Sequence, residues 1–383
     1  MIKRFLILIF IISGYSAYAQ KPAAEDLSRY ISLLEGKKVG LTVNHTALVG
    51  NEHLLDVFLN NNINVVKIYT PEHGLRGTAG AGEIVGNSTD TKTGIPVISL
   101  YGNNKKPTKE QVGEIDCMVF DMQDVGTRFY TYLSTMHYVM EACAENGIPL
   151  IVLDRPNPNG FYIDGPVLES SCKSFVGMHR IPIVHGMTLG ELAMMINSEK
   201  WLANGIECEL TVIPCIEYTH QSKYQLPVAP SPNLPDMQSV YLYPTLCLFE
   251  GTPLSVGRGT GFPFKVIGHP DFKGNKKYPF SFVPKTSDGK IKPLFEGQTC
   301  YGKDFREFNT SNITEIDLDR IIEVYNDYSN KNKFFKPIFP KLAGNNILQK
   351  QIAEGKTAQE IRQSWQKDLD EFKTRREKYL LYK

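Results

Sequence analysis

Short apolar runs rich in β-branched residues recur through the first half of the chain, at residues 39–44, 64–69, 96–100, 117–121 and 150–154. Each reads as a strand buried on both faces, the pattern of a parallel sheet. Between several of them, apolar residues fall at helical spacing. Leu54, Leu55, Phe58 and Leu59 mark one helix, and Tyr132, Met136, Val139, Met140 and Cys143 mark another that Asn146-Gly147 ends. Strands alternating with helices predict an α/β fold, a parallel sheet with helices on both faces. Further on, Thr188 and Glu191 form a capping box ahead of Leu192, Met195 and Ile196, and residues 211–215 read as one more strand. Pro227, Pro230, Pro232 and Pro235 impose rigid extended chain. After the apolar run at 241–251 the pattern changes to scattered aromatics and prolines over 262–308, which predicts a smaller mixed α/β unit. Two amphipathic helices close the chain, one at Leu318, Ile321, Ile322 and Tyr325, the other at Ile361, Trp365, Leu369 and Phe372 behind a Thr357/Glu360 capping box. The expected domains are 20–245 and 246–383.

Composition narrows the class. The chain has 383 residues, 42% of them hydrophobic, enough for two domains with a sizeable core. Its 42 basic and 41 acidic residues give a net charge of +1, which offers no electrostatic reason to expect nucleic acid or an anionic membrane as partner. Residues 1–19 read as a secretory signal peptide: Lys3 and Arg4, an apolar run at 5–12, then Ala17-Tyr18-Ala19 before Gln20. We therefore expect an exported protein, periplasmic or secreted, with no membrane segment in the mature chain. Of seven cysteines, Cys117, Cys143 and Cys247 lie in apolar patterns and read as buried thiols, while a Cys208–Cys215 disulfide stays open.

The chemistry lies where strands end. The first run stops at Asn44-His45-Thr46, the second at Thr70-Pro71-Glu72-His73, and the third at Tyr101-Gly102. The fourth runs into Asp121-Met122-Gln123-Asp124-Val125-Gly126-Thr127-Arg128, and the fifth into Asp154-Arg155-Pro156. Turn propensity explains the Asn, Asp, Pro and Gly, but not Glu72, His73, Gln123, Arg128 and Arg155. In one parallel sheet these ends share a rim, where open α/β sheets bind ligands. Neither glycine-rich stretch, around Gly80 or around Gly257, matches a dinucleotide or Walker fingerprint, and no G-x-S-x-G or H-E-x-x-H occurs. Neither a cofactor nor a metal is expected, although Asp121 with Asp124 is a conceivable cation site. Carboxylates among tyrosines and arginines suit a carbohydrate that carries an acidic group. The competing reading has the Asp–Arg pairs bracing loops.

Four strings together resemble the bacterial exo-β-N-acetylmuramidases of the NamZ group: Thr70-Pro71-Glu72-His73-Gly74-Leu75-Arg76-Gly77, Asp121 to Arg128, Asp154-Arg155-Pro156-Asn157-Pro158 and Phe249-Glu250-Gly251-Thr252. The resemblance implies a Rossmann-like N-terminal domain that binds no nucleotide, a smaller C-terminal domain, and an active site between them. It also implies release of N-acetylmuramic acid (MurNAc) from the non-reducing ends of peptidoglycan fragments such as MurNAc–GlcNAc saccharides. The family's catalytic glutamate falls on Glu72, the expected general acid, with His73 orienting it or touching the sugar. The second carboxylate is expected among Glu169, Asp121 and Asp124, unless the substrate's own 2-acetamido oxygen is the nucleophile. Arg76, Arg128 or Arg258 is expected to bind the lactyl carboxylate, because a planar guanidinium matches it bidentately. Asn44, Gln123, Asp124, Arg155, His185 and Glu250 complete the expected substrate contacts. The alternatives are a periplasmic sugar-binding protein without catalysis and an esterase or deacylase acting on the same glycans.

Overall fold

The computed structural model describes residues 20–72, 74–75, 86–286 and 292–383. The strands of the first half are β1 (Lys38–Val43), β2 (Leu48–Val49), β3 (Glu52–His53), β4 (Asn64–Thr70), β5 (Ser88–Thr89), β6 (Pro96–Ser99), β7 (Cys117–Asp121) and β8 (Leu150–Leu153), with β9 (Leu210–Ile213) further on. Among the described residues seven of them form one sheet in the order β5-β6-β4-β1-β7-β8-β9, parallel throughout except for the antiparallel edge strand β5. The expected strands are present to within a residue or two at their ends.

Alternation along the strands sends side chains to two separate cores. In β7, Met118 and Phe120 join Met136, Met140, Leu192 and Met195, from helices α3 (Tyr132–Asn146) and α4 (Leu189–Ser198), on one face. Cys117 and Val119 join Leu54, Leu55 and Phe58, from helix α1 (Leu54–Asn60), on the other. The short α2 (Lys109–Val112) leads into β7. The Thr188/Glu191 capping box forms as the sequence predicts, with the Glu191 backbone N–H on the Thr188 hydroxyl and the Thr188 backbone N–H on the Glu191 carboxylate.

Helix α5 (Met237–Leu246) continues as a 3-10 turn, Cys247–Gly251, into the C-terminal unit. That unit carries a three-stranded antiparallel sheet of β10 (Val266–His269), β11 (Phe280–Phe282) and β12 (Cys300–Asp304), in the order β10-β12-β11. Around it pack α6 (Leu318–Asp327), α7 (Phe339–Ala343), α8 (Ile347–Ala353) and the long α9 (Ala358–Arg376). The Thr357/Glu360 capping box starts α9, and Trp365 is buried in the core. All seven cysteines are buried and free, so Cys208 and Cys215 are not paired. Among the described residues no helix is long and apolar enough to cross a membrane.

Candidate active site

The sheet order places the site. From β1 the chain moves to β4 and β6 on one side, then returns to β7, β8 and β9 on the other, so β1 marks the point where the winding reverses. A crevice opens outside the carboxyl ends of the strands at such a point. The segment after β4 brings Glu72 to that crevice, and the segment after β7 brings Phe129 to Tyr132. The two walls enclose a cavity of about 160 Å³. That is smaller than the pockets that take drug-sized ligands and on the scale of a single sugar ring.

The far walls come from later in the chain. Ser231, Asn233 and Leu234 line the cavity from the proline-rich segment, and Tyr243, Cys247 and Glu250 from α5 and the turn after it. Arg258, Phe264 and Leu342 complete it from the C-terminal unit. The proline segment is pinned to the sheet rim. The Tyr130 hydroxyl donates to the Pro230 carbonyl at 2.9 Å, the Tyr132 hydroxyl to the same oxygen at 3.4 Å, and the His45 Nε2 lies 2.8 Å from the Ala229 carbonyl. Tyr243 is wedged edge-on between Phe129 and Phe264, at centroid distances of 5.2 and 4.9 Å. These contacts give the cavity rigid apolar walls with a few polar groups set into them.

Glu72 is half-buried in this cavity, with the Tyr101 phenol near enough to feel its charge. Burial and then the Glu72 carboxylate push the Tyr101 phenol up to about 12, so it remains a donor at neutral pH. Glu250 and Arg258 also line the cavity, joined as a bidentate pair with Nε–Oε1 at 2.5 Å and Nη2–Oε2 at 3.1 Å. Burial works against the Arg258 charge, but Glu250 outweighs it and holds the guanidinium above its ordinary pKa. The guanidinium lies over the Phe264 ring at 4.9 Å, and among the described residues its Nη1 has no hydrogen-bond partner. Helix α3 begins in the cavity wall at Thr131 and Tyr132, so its positive end adds to the field there.

The other expected site residues are placed elsewhere. His73 and Arg76 lie outside the described residues. Asp121 is fully buried in a two-point ion pair with Arg155, its Oδ2 2.8 Å from Nη2, and Arg155 also donates to the Leu48 carbonyl at 3.0 Å. Neither can touch a sugar: here the loop-bracing reading is the right one. Asn44 is buried, its Oδ1 accepting from the Thr46 backbone at 2.9 Å and hydroxyl at 2.6 Å. Gln123 is buried with its amide on the carbonyls of Asp124 and Pro156. His185 is fully buried, its Nδ1 accepting from the Met187 N–H at 3.2 Å, and burial pushes it down to about 3. Glu169 sits ahead of a 3-10 turn, its backbone N–H on the Gly344 carbonyl, and does not line the cavity. Arg128 is buried and spends its guanidinium on four backbone carbonyls.

Asp124 is buried behind the rim, with Oδ2 accepting from the Gly126 N–H at 2.6 Å. Burial pushes its pKa up to about 7, against the pull of the Gly126 and Val125 backbone donors. The folded value lies above the unfolded one near 4, so the fold holds this proton more tightly than the unfolded chain. The resulting stability is complete below about pH 4 and is lost as pH rises through 7. Asp124→Asn is expected to flatten the fall in denaturant midpoint between pH 5 and 8; a slope unchanged by the substitution contradicts this.

Among the described residues no cluster of three or more His, Cys, Asp or Glu is arranged to hold a metal. A wider, shallower groove on the C-terminal unit, between β12 and α6, contains none of the expected site residues. Its charges are largely paired, Lys277 with Asp327, Lys303 with Glu323 and Arg320 with Asp317.

Two family models match the chain: "Exo-beta-N-acetylmuramidase NamZ, N-terminal" over residues 39–238, and "Exo-beta-N-acetylmuramidase NamZ, C-terminal" over residues 241–382. The cavity is lined from both matched regions. The chain is 40% identical to the peptidoglycan β-N-acetylmuramidase NamZ of Bacillus subtilis (strain 168), over 95% of this chain and 92% of that protein. Two crystal structures of DUF1343 family proteins from Bacteroides fragilis NCTC 9343 share its fold. One is 45% identical with a TM-score of 0.88, the other 30% identical with a TM-score of 0.81, each over 95% of this chain and 99% of the other.

Proposed function

Because the chain belongs to the exo-β-N-acetylmuramidase NamZ family, we infer that it is a glycoside hydrolase that removes terminal MurNAc from peptidoglycan fragments, with Glu72 as the acid. The observation that carries the residue assignment is a carboxyl group at the sheet's switch point, inside a cavity of single-sugar size that also holds a guanidinium. A pocket of that size suits removal of one terminal sugar at a time.

Glu72 donates its proton to the glycosidic oxygen as the bond to the anomeric carbon breaks. Among the described residues, the second carboxylate lining the cavity is Glu250; Asp121, Asp124 and Glu169 do not reach it. Glu250 is committed to Arg258 at two points, and the Lys336 ammonium lies close to it, with burial lowering the Lys336 pKa and Glu250 raising it. A carboxylate so engaged is a poor nucleophile. This favours the substrate's 2-acetamido oxygen as the group that attacks the anomeric carbon, with Glu250 and Arg258 as the recognition pair. Water then opens the cyclic intermediate and returns its proton to Glu72, with net retention. Proton NMR of a MurNAc–GlcNAc disaccharide during turnover tests this directly: the first product formed is β-MurNAc, and an α-anomer overturns it. Release of acetate or another acyl acid in place of free sugar would favour an esterase.

Arg258 offers Nη1 to the lactyl carboxylate that distinguishes MurNAc from GlcNAc. Arg258→Lys keeps a cation beside Glu250 but loses the planar fork. It is expected to lower the kcat/KM preference for MurNAc over GlcNAc aryl glycosides about tenfold or more, the scale of one charge-assisted hydrogen bond. An unchanged ratio places the carboxylate elsewhere. Peptidoglycan lies outside the cytoplasmic membrane, which suits an export signal at residues 1–19; a mature protein that begins at Gln20 is the corresponding expectation.

A further inference from the structure

Ser231-Pro232-Asn233-Leu234, within the proline-rich segment, is a tight turn set into the cavity wall. The Leu234 backbone N–H closes it on the Ser231 carbonyl at 3.0 Å. Pro232 presets φ at the first corner, and Asn233 keeps a negative φ at the second, as a type I turn requires. Both ends are fastened. The Tyr130 hydroxyl holds the Pro230 carbonyl at 2.9 Å, and the Asp236 carboxylate meets the Lys265 ammonium of the C-terminal unit at 2.5 Å. Asparagine is common in turns because its side chain bonds the nearby backbone. Here the Ser231 hydroxyl takes that role, accepting from the Asn233 backbone N–H at 3.3 Å. Asn233 lines the cavity, and among the described residues no hydrogen bond engages its carboxamide. A polar side chain on a rigid turn, unused by the fold and facing a sugar-sized cavity, is available to a ligand.

We propose that Asn233 is a specificity residue for the 2-acetamido group of the sugar, its Oδ1 accepting a hydrogen bond from the acetamido N–H. This rests on the reading of the cavity as a MurNAc site. The two carboxylates lining the cavity are committed, Glu72 to the leaving oxygen and Glu250 to Arg258. The Asn233 Oδ1 is the strongest side-chain acceptor left among the described residues there. In a trans amide the N–H points away from the C=O, so an acceptor fixed on the N–H also sets the direction of the oxygen. The acetamido oxygen is thereby turned toward the anomeric carbon. As that oxygen bonds to the anomeric carbon and the bond to the leaving oxygen breaks, positive charge grows on the nitrogen, and the Oδ1 dipole stabilises it. A neutral carboxamide does not take up the proton, so the N–H stays on the nitrogen throughout.

Binding of two monosaccharides tests the contact: MurNAc, and the 3-O-lactyl ether of glucose, which carries a hydroxyl in place of the acetamido group. Isothermal titration of the full chain gives the preference of the parent enzyme for MurNAc. Asn233→Ala is expected to lower that preference about tenfold, the scale of a hydrogen bond whose partner is left unsatisfied. Asn233→Leu keeps the volume of the side chain and is expected to do the same. A melting temperature within a few degrees of the parent checks each fold. A preference retained by either folded variant, or absent from the parent, overturns the proposal. A residue that touches a hydroxyl or the lactyl group, or merely shapes the turn, weakens both sugars alike and leaves the ratio unchanged. Product analysis on a MurNAc–GlcNAc disaccharide keeps the two ideas apart. If the parent releases MurNAc and the variants keep the preference, only the role of Asn233 falls. If the parent releases no MurNAc, the functional reading falls and Asn233 with it.

Discussion

Glu72→Gln is expected to lower kcat on a MurNAc–GlcNAc disaccharide by about 10²–10⁴-fold, the usual contribution of a positioned general acid. Glutamine keeps the size and polarity of the side chain, so the fold and KM change little. The loss depends on the leaving group. A sugar alkoxide must be protonated as it departs, whereas dinitrophenolate is stable without a proton. The same variant therefore retains most of its kcat/KM on a dinitrophenyl MurNAc glycoside, while its kcat there is limited by opening of the cyclic intermediate, for which Glu72 is also the base. A uniform loss on both substrates assigns Glu72 to binding. Full activity on the disaccharide removes it from the reaction altogether.

Arg128→Lys is expected to cost about 3–5 kcal/mol of stability, because it breaks a buried charge away from all its partners. Nη1 donates to the Pro166 and Ile181 carbonyls at 2.8 Å each, and Nη2 to those of Leu342 and Ala343 at 3.0 and 2.8 Å. The last two carbonyls form the end of α7, where a helix leaves acceptors unsatisfied and carries its negative pole. The guanidinium thus caps a helix of the C-terminal unit from the loop after β7, and Leu342 is in turn a wall of the cavity. An ammonium is a point donor and cannot span four carbonyls. Burial pulls the Arg128 pKa down to about 9, only partly opposed by the nearby Cys172. Gly344 closes this cap at φ +95°, and a Cβ there would collide with the guanidinium, so Gly344→Ala should destabilise in the same direction. The check is the denaturant midpoint, with KM measured on the folded fraction at low temperature. A normal midpoint with a raised KM would return Arg128 to the substrate, where its place in the strand-end motif first put it.

Arg128 and Arg258 are alike as sequence. Both lie in glycine-containing loops beside motif residues, and both suit a sugar acid. Their fates differ because their partners differ in range. The acceptors of Arg128 are 38 to 215 residues away along the chain, contributed by segments with no signal of their own. Arg258 is held by Glu250, eight residues away in a motif already singled out. Asp121 and Arg155 are a similar case: two strand-end residues met only when β7 and β8 became neighbours, and each then satisfied the other. The proline-rich segment was legible as rigid chain, but not as a cavity wall, because that depended on Tyr130, Tyr132 and His45 reaching its carbonyls.

Buried apolar runs determined the parallel sheet, and capping boxes determined the starts of α4 and α9, since these are properties of neighbouring residues. The Thr70-Pro71-Glu72-His73-Gly74 string likewise put Glu72 at a strand end. Only the tertiary structure decided which polar residues on the rim face the cavity and which are buried as braces. A buried polar group is tolerated only with its partners in place. Here those partners come from strand order, register and a second unit of the chain, none of which is written in any local stretch.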